Sequence, residues 1–308
     1  RVQVDVPVDK HLVNFPNEAS LYNELSLLWY QKTNFEWELS ARQRGVYNVG
    51  PPMIRAGDLF GFYSKARKPE KESLSVVVYP RLVPIRTFDF RRKDFFGVPG
   101  AKSPVQDPIY ILGTRDYHHW QPARYIHWKA SARHNRLQEK VFEPSSQEKI
   151  LLMVDVMQFE KQNARDDFEK ALEVAASLAV QCEQNGYAIG FLTNGKVKGG
   201  QAFLPVSRGR QQLLAILETL ARLDMKSQSP FVDLFLNGIS FHWGISGVCF
   251  AYESDMFINT LDNYFLHRHI PTVFLVCRTA SASEDDMNAP GGRVRLLDAI
   301  RIEENAHE

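Results

Sequence analysis

The sequence predicts an α/β fold in two parts: a β-rich N-terminal domain, then a mostly parallel, Rossmann-type sheet covered by helices. Three observations carry this expectation. Short apolar runs broken by Pro, Gly, Asn and Asp extend from Val2 to about Ile111. After Gln147 the pattern changes to alternating strand and helix periods. The apolar run KILLMVDV, from Lys149 to Val156, opens that second pattern. With 308 residues, 44% of them hydrophobic, the chain can bury two cores. The expected boundaries are 1–111 for a sandwich-like β domain, 112–148 for a joining segment, and 149–308 for the α/β domain with a C-terminal tail.

In the first domain, strands are expected at Val2–Val8, Leu21–Tyr30, Phe35–Arg42, Gly45–Val49 and Leu74–Tyr79. MIRAGDLFGFYSK implies a turn at Ala56–Asp58 before an apolar strand or short helix, and Arg91–Pro104 has the charge and Gly/Pro content of a mobile loop. In the second domain, Lys149–Met157 reads as a buried strand and Asp166–Asn185 as an amphipathic helix. Asp166 and Asp167 suit the positive end of that helix, and Gly186 suits a left-handed cap. Tyr187–Thr193 follows as a strand, Gly195–Gly200 as a hairpin turn and Arg210–Leu223 as a helix. Gly247–Tyr252 is the next strand, Met256–His269 a helix, and Thr272–Cys277 the final parallel strand. Leu172, Ala175, Ala176, Ala179 and Val180, like Leu213, Leu214, Leu217 and Leu220, form core stripes at three-and-four spacing. Phe231, Leu234, Phe235, Phe241 and Trp243 are expected to be buried or to form a partly exposed dock, burial being the default.

Several function classes are disfavoured. Cys182, Cys249 and Cys277 sit in apolar patterns rather than at paired spacings, which argues against disulfides and zinc and for a reducing compartment. The formal charge of +1 divides unequally: residues 1–149 hold 23 Lys and Arg against 16 Asp and Glu, a net of +7, and the remainder nets −6. Such asymmetry can steer a charged partner or reflect loop composition, but its mixed sign does not suit nucleic acid. No run approaches the roughly 20 apolar residues of a membrane span. A start at Arg1, within the alternation VQVDVPV, reads as an excised segment.

The segment Arg115–Glu143 concentrates Arg, Lys, His and Trp just before the leading α/β strand. Arg115, Tyr117, Arg124, His127, Trp128, Lys129, Ser131, Arg133, Phe142 and Glu143 stand out. One reading is structural, with Trp128 and Ile126 as core anchors, Arg124 or Arg133 paired with Glu143, and Ser131 forming a helix or turn hydrogen bond. The other makes the cluster a recognition surface, since Arg and Trp dominate protein interfaces.

Together with RGVYNVGPPMIRAGDLFGFY (Arg44–Tyr63) and VVVYPRLVPI (Val76–Ile85), this segment resembles the blocks of the domain of unknown function 58 family. Trp120 and Gln121 depart from that pattern, standing where the family has Gly-Asp. The resemblance implies a bacterial or archaeal protein with a von Willebrand A-like domain, anchored to the membrane by helices upstream and facing the cytoplasm. It also implies a MoxR-type AAA+ ATPase as partner. A von Willebrand A domain holds a divalent metal with Asp-x-Ser-x-Ser after its first strand. This chain has Asp155, Met157 and Phe159 there, so the carboxylate survives but the hydroxyl ligands do not. Asp255 is either a second carboxylate of such a degenerate site or, with Ser254, a cap on the helix from Met256.

The expectation is therefore a non-catalytic interaction or assembly module with no cofactor, no bound metal and no nucleic-acid partner. The alternatives are a metal-dependent ligand domain using Asp155 and a hydrolase using His127 and Lys129. The adjacent His118 and His119 lack a Glu or Cys at ligand spacing, and no nucleophile elbow, phosphate loop or dinucleotide fingerprint is present.

Overall fold

The computed structural model describes residues 1–14, 20–28, 30–58, 62–67, 73–86, 106–117, 123–144, 149–236, 245–254, 256–268, 270–279 and 294–302. The expected loop Arg91–Pro104 lies outside them, as do Phe241, Trp243, Asp255 and His269.

The N-terminal part contains strands β1 (Val2–Pro7), β2 (Leu12–Asn14), β3 (Ser20–Leu25), β4 (Leu39–Ala41), β5 (Gly45–Val49), β6 (Met53–Gly57), β7 (Ser64–Arg67) and β8 (Leu74–Val78). Four of them form the antiparallel sheet β3-β1-β6-β7, and the ladders β2-β4 and β5-β8 complete this part. The third strand stops at Leu25 rather than Tyr30, because Leu27, Leu28 and Tyr30 are exposed and have no layer to cover them. The expected strand Phe35–Arg42 shortens to β4, and the residues Ala56 and Gly57 of the expected turn instead close β6. Among the described residues before Val83, only Val6, Leu12, Leu21 and Tyr47 are buried apolar side chains, so this half has a thin core.

An antiparallel arm follows, made of β9 (Gln106–Asp116), α1 (Trp128–His134) and β10 (Gln138–Pro144), and β9 straddles the boundary expected at residue 111. The second half then runs β11 (Lys149–Val154), α2 (Val156–Lys161), α3 (Arg165–Gln184), β12 (Ala188–Thr193), β13 (Gly195–Val197), β14 (Phe203–Ser207), α4 (Arg210–Arg222), β15 (Leu223–Ser227), α5 (Phe231–Leu236), β16 (Ile245–Ser254), α6 (Met256–His267), β17 (Thr272–Thr279) and β18 (Val294–Leu296). Its six-stranded sheet has the order β14-β12-β11-β16-β17-β18, parallel except for β14. Thr272–Cys277 is therefore not the last parallel strand, since β18 pairs beyond it.

Alternate residues of β11 face opposite layers. Ile150, Leu152 and Val154 join Phe159, Leu172, Ala175, Ala179, Ile216 and Leu220 on the α2–α3–α4 side. Leu151 and Met153 join Phe231, Phe235, Ile258, Leu261 and Phe265 on the α5–α6 side. Helices thus cover both faces, as a parallel sheet requires. The α3 stripe packs as expected, and Gly186 adopts φ 71° just beyond its end. Leu214 is a correction: at 41% exposed it lies off the buried stripe of α4. The edge strand β14 carries Pro205, and its register with β12 is interrupted there. A Cβ at Gly190 would lie 3.0 Å from both Leu204 O and Val206 N, so the irregular edge closes onto bare backbone.

Three contacts tie the halves together. Val83 is buried in the α/β core, and its N–H donates to Ser177 Oγ at 2.9 Å. Ile85 bridges Arg301, and Arg86 N–H donates to Ile300 O. Arg44 makes the third contact. Its side chain is only 8% exposed and forms a two-pronged ion pair with Glu169 of α3 at 2.8 and 3.0 Å. Its Nη1 also donates to Leu220 O, Ala221 O and Leu223 O at the end of α4. The guanidinium thus satisfies carbonyls that a helix terminus leaves unpaired and lies over the Phe168 ring at 5.5 Å. Replacing it strands these acceptors, so Arg44→Ala is expected to lower the unfolding free energy by about 2–3 kcal/mol in urea denaturation. Arg44→Lys is expected to recover only a minor part, because one ammonium cannot reproduce the planar fork.

Candidate functional site

The residues singled out by the sequence collect in two places, the β9–α1–β10 arm and the carboxyl end of β11. In the arm, α1 folds back on the start of β10. His127 N–H donates to Gln138 O at 2.7 Å, and its Nδ1 accepts from Ala130 N–H at 3.1 Å as the cap of α1. From within α1, Ser131 Oγ donates to His127 O at 3.0 Å and accepts from Gln138 N–H at 2.8 Å. Asn135 ends the helix in the left-handed region at φ 52°. Arg133 and His134 in the last turn complement the negative end of the helix.

The expected pairing of Arg124 or Arg133 with Glu143 involves side chains outside the described residues, and other ion pairs are present in the arm. Arg115 pairs with Glu139, whose side chain is 3% exposed, and Arg136 pairs with Asp116 at 3.0 Å. Gln138 Nε2 also reaches Asp116 Oδ1. The side chains of Arg124, Phe142 and Glu143 lie outside the described residues, as do His118, His119, Trp120 and Gln121 altogether. Ile126 is buried as an anchor at 7% exposure, but Trp128 is 69% exposed. The helix α1 has only seven residues, none of them buried, and rests on β10. Trp128 therefore stands in solvent beside the exposed Lys129 and Arg133, with Leu137 45% exposed on the same arm.

At the second place, the sheet reverses its winding direction between β11 and β16, the position at which open α/β sheets leave a crevice for ligands. Asp155 lies there, 2% exposed. It caps α2, its Oδ1 accepting from Met157 N–H at 3.0 Å and from Asn194 Nδ2 at 2.8 Å. Asn194 in turn accepts Val156 N–H at 2.8 Å through Oδ1 and donates to Ser229 O at 3.2 Å. Thr193 Oγ1 donates to Val154 O, and Gln158 Oε1 accepts Tyr252 N–H and Glu253 N–H. A Cβ at Gly195 would sit 2.6 Å from both Leu223 Cδ1 and Val156 Cγ2, so the side-chain network closes against backbone. Phe159, where a hydroxyl ligand would stand, is fully buried in the core. Among the described residues no three His, Cys, Asp or Glu side chains converge as a metal site.

Burial, followed by the nearby Asp155 carboxylate, pushes the Cys249 thiol well above its usual range. Burial alone raises Cys182 to about 12. All three cysteines are free.

Sequence reasoning missed Asn194, Gln158 and Glu139. The first had a usable signal: an amide side chain followed by glycine, at the carboxyl end of the second parallel strand.

The fold and this crevice define a mixed α/β protein with a β-rich N-terminal part, whose switch point is occupied by its own side chains. Residues 113–236, the arm together with the sheet through α5, match the model of a family described as Protein of unknown function DUF58. The chain is similar to the uncharacterized protein YeaD of Bacillus subtilis (strain 168), with 27% identity over 205 residues, or 66% of this chain. It spans about half the length of that curated relative, 49%. No solved structure matches it significantly.

Asp155→Ala and Asn194→Ala are each expected to cost about 2 kcal/mol of stability in urea denaturation, because each leaves a buried donor unpaired. The double variant is expected to lose less than the sum, since both remove one shared bond. Cys249 is expected to react with a thiol reagent at pH 8 only at the rate of global unfolding, read by mass spectrometry of quenched samples.

Proposed function

We propose that this chain is a non-catalytic protein-interaction module that presents the outer side of the arm to a protein partner. The observation that carries the reading is Trp128. An indole 69% exposed, on a helix fixed by four local hydrogen-bonding groups, is a rigid apolar anchor in search of a pocket. Lys129 and Arg133, exposed on the same short helix, add positive charge that favours a partner face rich in carboxylates. The internal closure of the Asp155 network supports a scaffolding role for the α/β half. His127 is engaged as a helix cap, which weakens the hydrolase alternative.

By family resemblance, the α/β half is von Willebrand A-like, with Asp155 the remnant of a metal position. The complete protein is anchored at the cytoplasmic face of the membrane by helices outside this segment and acts with a MoxR-type AAA+ ATPase. None of the helices among the described residues is long and apolar enough to cross a membrane.

The test is co-purification of the complete, membrane-anchored protein with that ATPase. Trp128→Ala is expected to weaken recovery by about 2 kcal/mol of binding free energy. Lys129→Glu/Arg133→Glu is expected to lower the association rate and steepen its loss with salt. Circular dichroism should show both variants folded. Recovery unchanged in both would sink the reading.

A further inference from the structure

A cavity of about 380 Å³ lies where the N-terminal β part meets the α/β half. Its walls are the residues around Arg44 at the start of β5, the first turn of α3, the end of α4 with β15, and Lys198 after β13. Five cationic side chains line it, Arg44, Arg165, Lys198, Arg222 and Lys226, against two carboxylates, Glu169 and Asp224.

The pairings show which cations are already neutralised. Arg44 is taken by Glu169, and Lys198 lies 3.0 Å from Asp224. Arg222 is held by Glu218 at 2.8 Å and donates to Lys198 O at 3.2 Å, which fixes its guanidinium against the turn after β13. Arg165 pairs with no carboxylate among the described residues. Lys226 forms no ion pair among the described residues; it acts electrostatically on Glu160, which is not part of the cavity wall. The wall thus carries more cations than carboxylates, and the two lining cations without an ion pair among the described residues, Arg165 and Lys226, belong to different elements, α3 and β15.

We infer that this cavity is a binding site for a small, multiply charged oxyanion of the phosphate class. A guanidinium and an ammonium converging from two walls match the oxygens of a phosphate group, the first by its planar fork and the second as a point charge. The volume falls within the range of small-molecule sites, about 300–1,000 Å³, and its place between the two halves suits a compact ligand. Neither Arg165 nor Lys226 contributes to the arm or the Asp155 network, so the site is independent of the function proposed above.

Pyrophosphate is the probe. Isothermal titration of the intact chain is expected to give saturable one-to-one binding, and the ligand is expected to raise the midpoint of thermal unfolding because it binds only the folded junction. Arg165→Ala/Lys226→Ala, both at exposed positions, is expected to weaken binding by at least about tenfold. The single charge reversal Arg165→Glu provides a second variant should the double one fold poorly. Absence of saturable heat, equal binding to the variants, or saturable binding of a glutamate hexapeptide but not of pyrophosphate would each overturn the inference.

Discussion

A strand buried on both faces leaves its side chains no choice of direction, and that constraint organises the C-terminal half. Residues Ile150 to Val154 of β11 are at most 2% exposed, and both of their backbone edges are paired, with β12 on one side and β16 on the other. The chain can change character only at the strand's end, and Asp155 is the first residue there. Its carboxylate is removed from water and must be met by donors. An amide from the neighbouring loop and a backbone N–H from the next helix supply them. The crevice between β11 and β16 is thereby held in one arrangement by groups that a ligand would otherwise contact.

Arg44 plays the corresponding role at the junction. The N-terminal part buries few apolar side chains of its own, so its position depends on what it touches. One guanidinium joins the first turns of α3 to the last turn of α4, and the Val83 segment runs across α3 nearby. The cavity and its surplus charge exist because these elements meet there. The arm depends on neither: its geometry is set by His127, Ser131 and Gln138 within a stretch of a dozen residues.

The sequence reveals what is local. Helix α3 runs from Arg165 to Gln184 against an expected Asp166–Asn185, because acidic residues and a glycine mark its ends through short-range chemistry. The parallel strands were legible from apolar runs that need burial on both faces. β13, β14, β15 and β18 were not, being only three to five residues long. Arg44 was invisible as a junction residue because its carboxylate partner lies 125 residues away. Asn194 reaches back 39 residues to Asp155. Trp128 misled in the opposite sense: an aromatic residue in an alternating segment suggests burial, yet it lies on a seven-residue helix with no buried residue.

The outer strand β14 has a further consequence. A proline in a terminal strand offers no N–H to a newcomer, and the shifted register beside Gly190 bends the remaining groups out of line. The rim formed by Pro205 therefore resists stacking of one molecule's sheet onto another's. Along this border the molecule is guarded against edge-to-edge self-polymerisation.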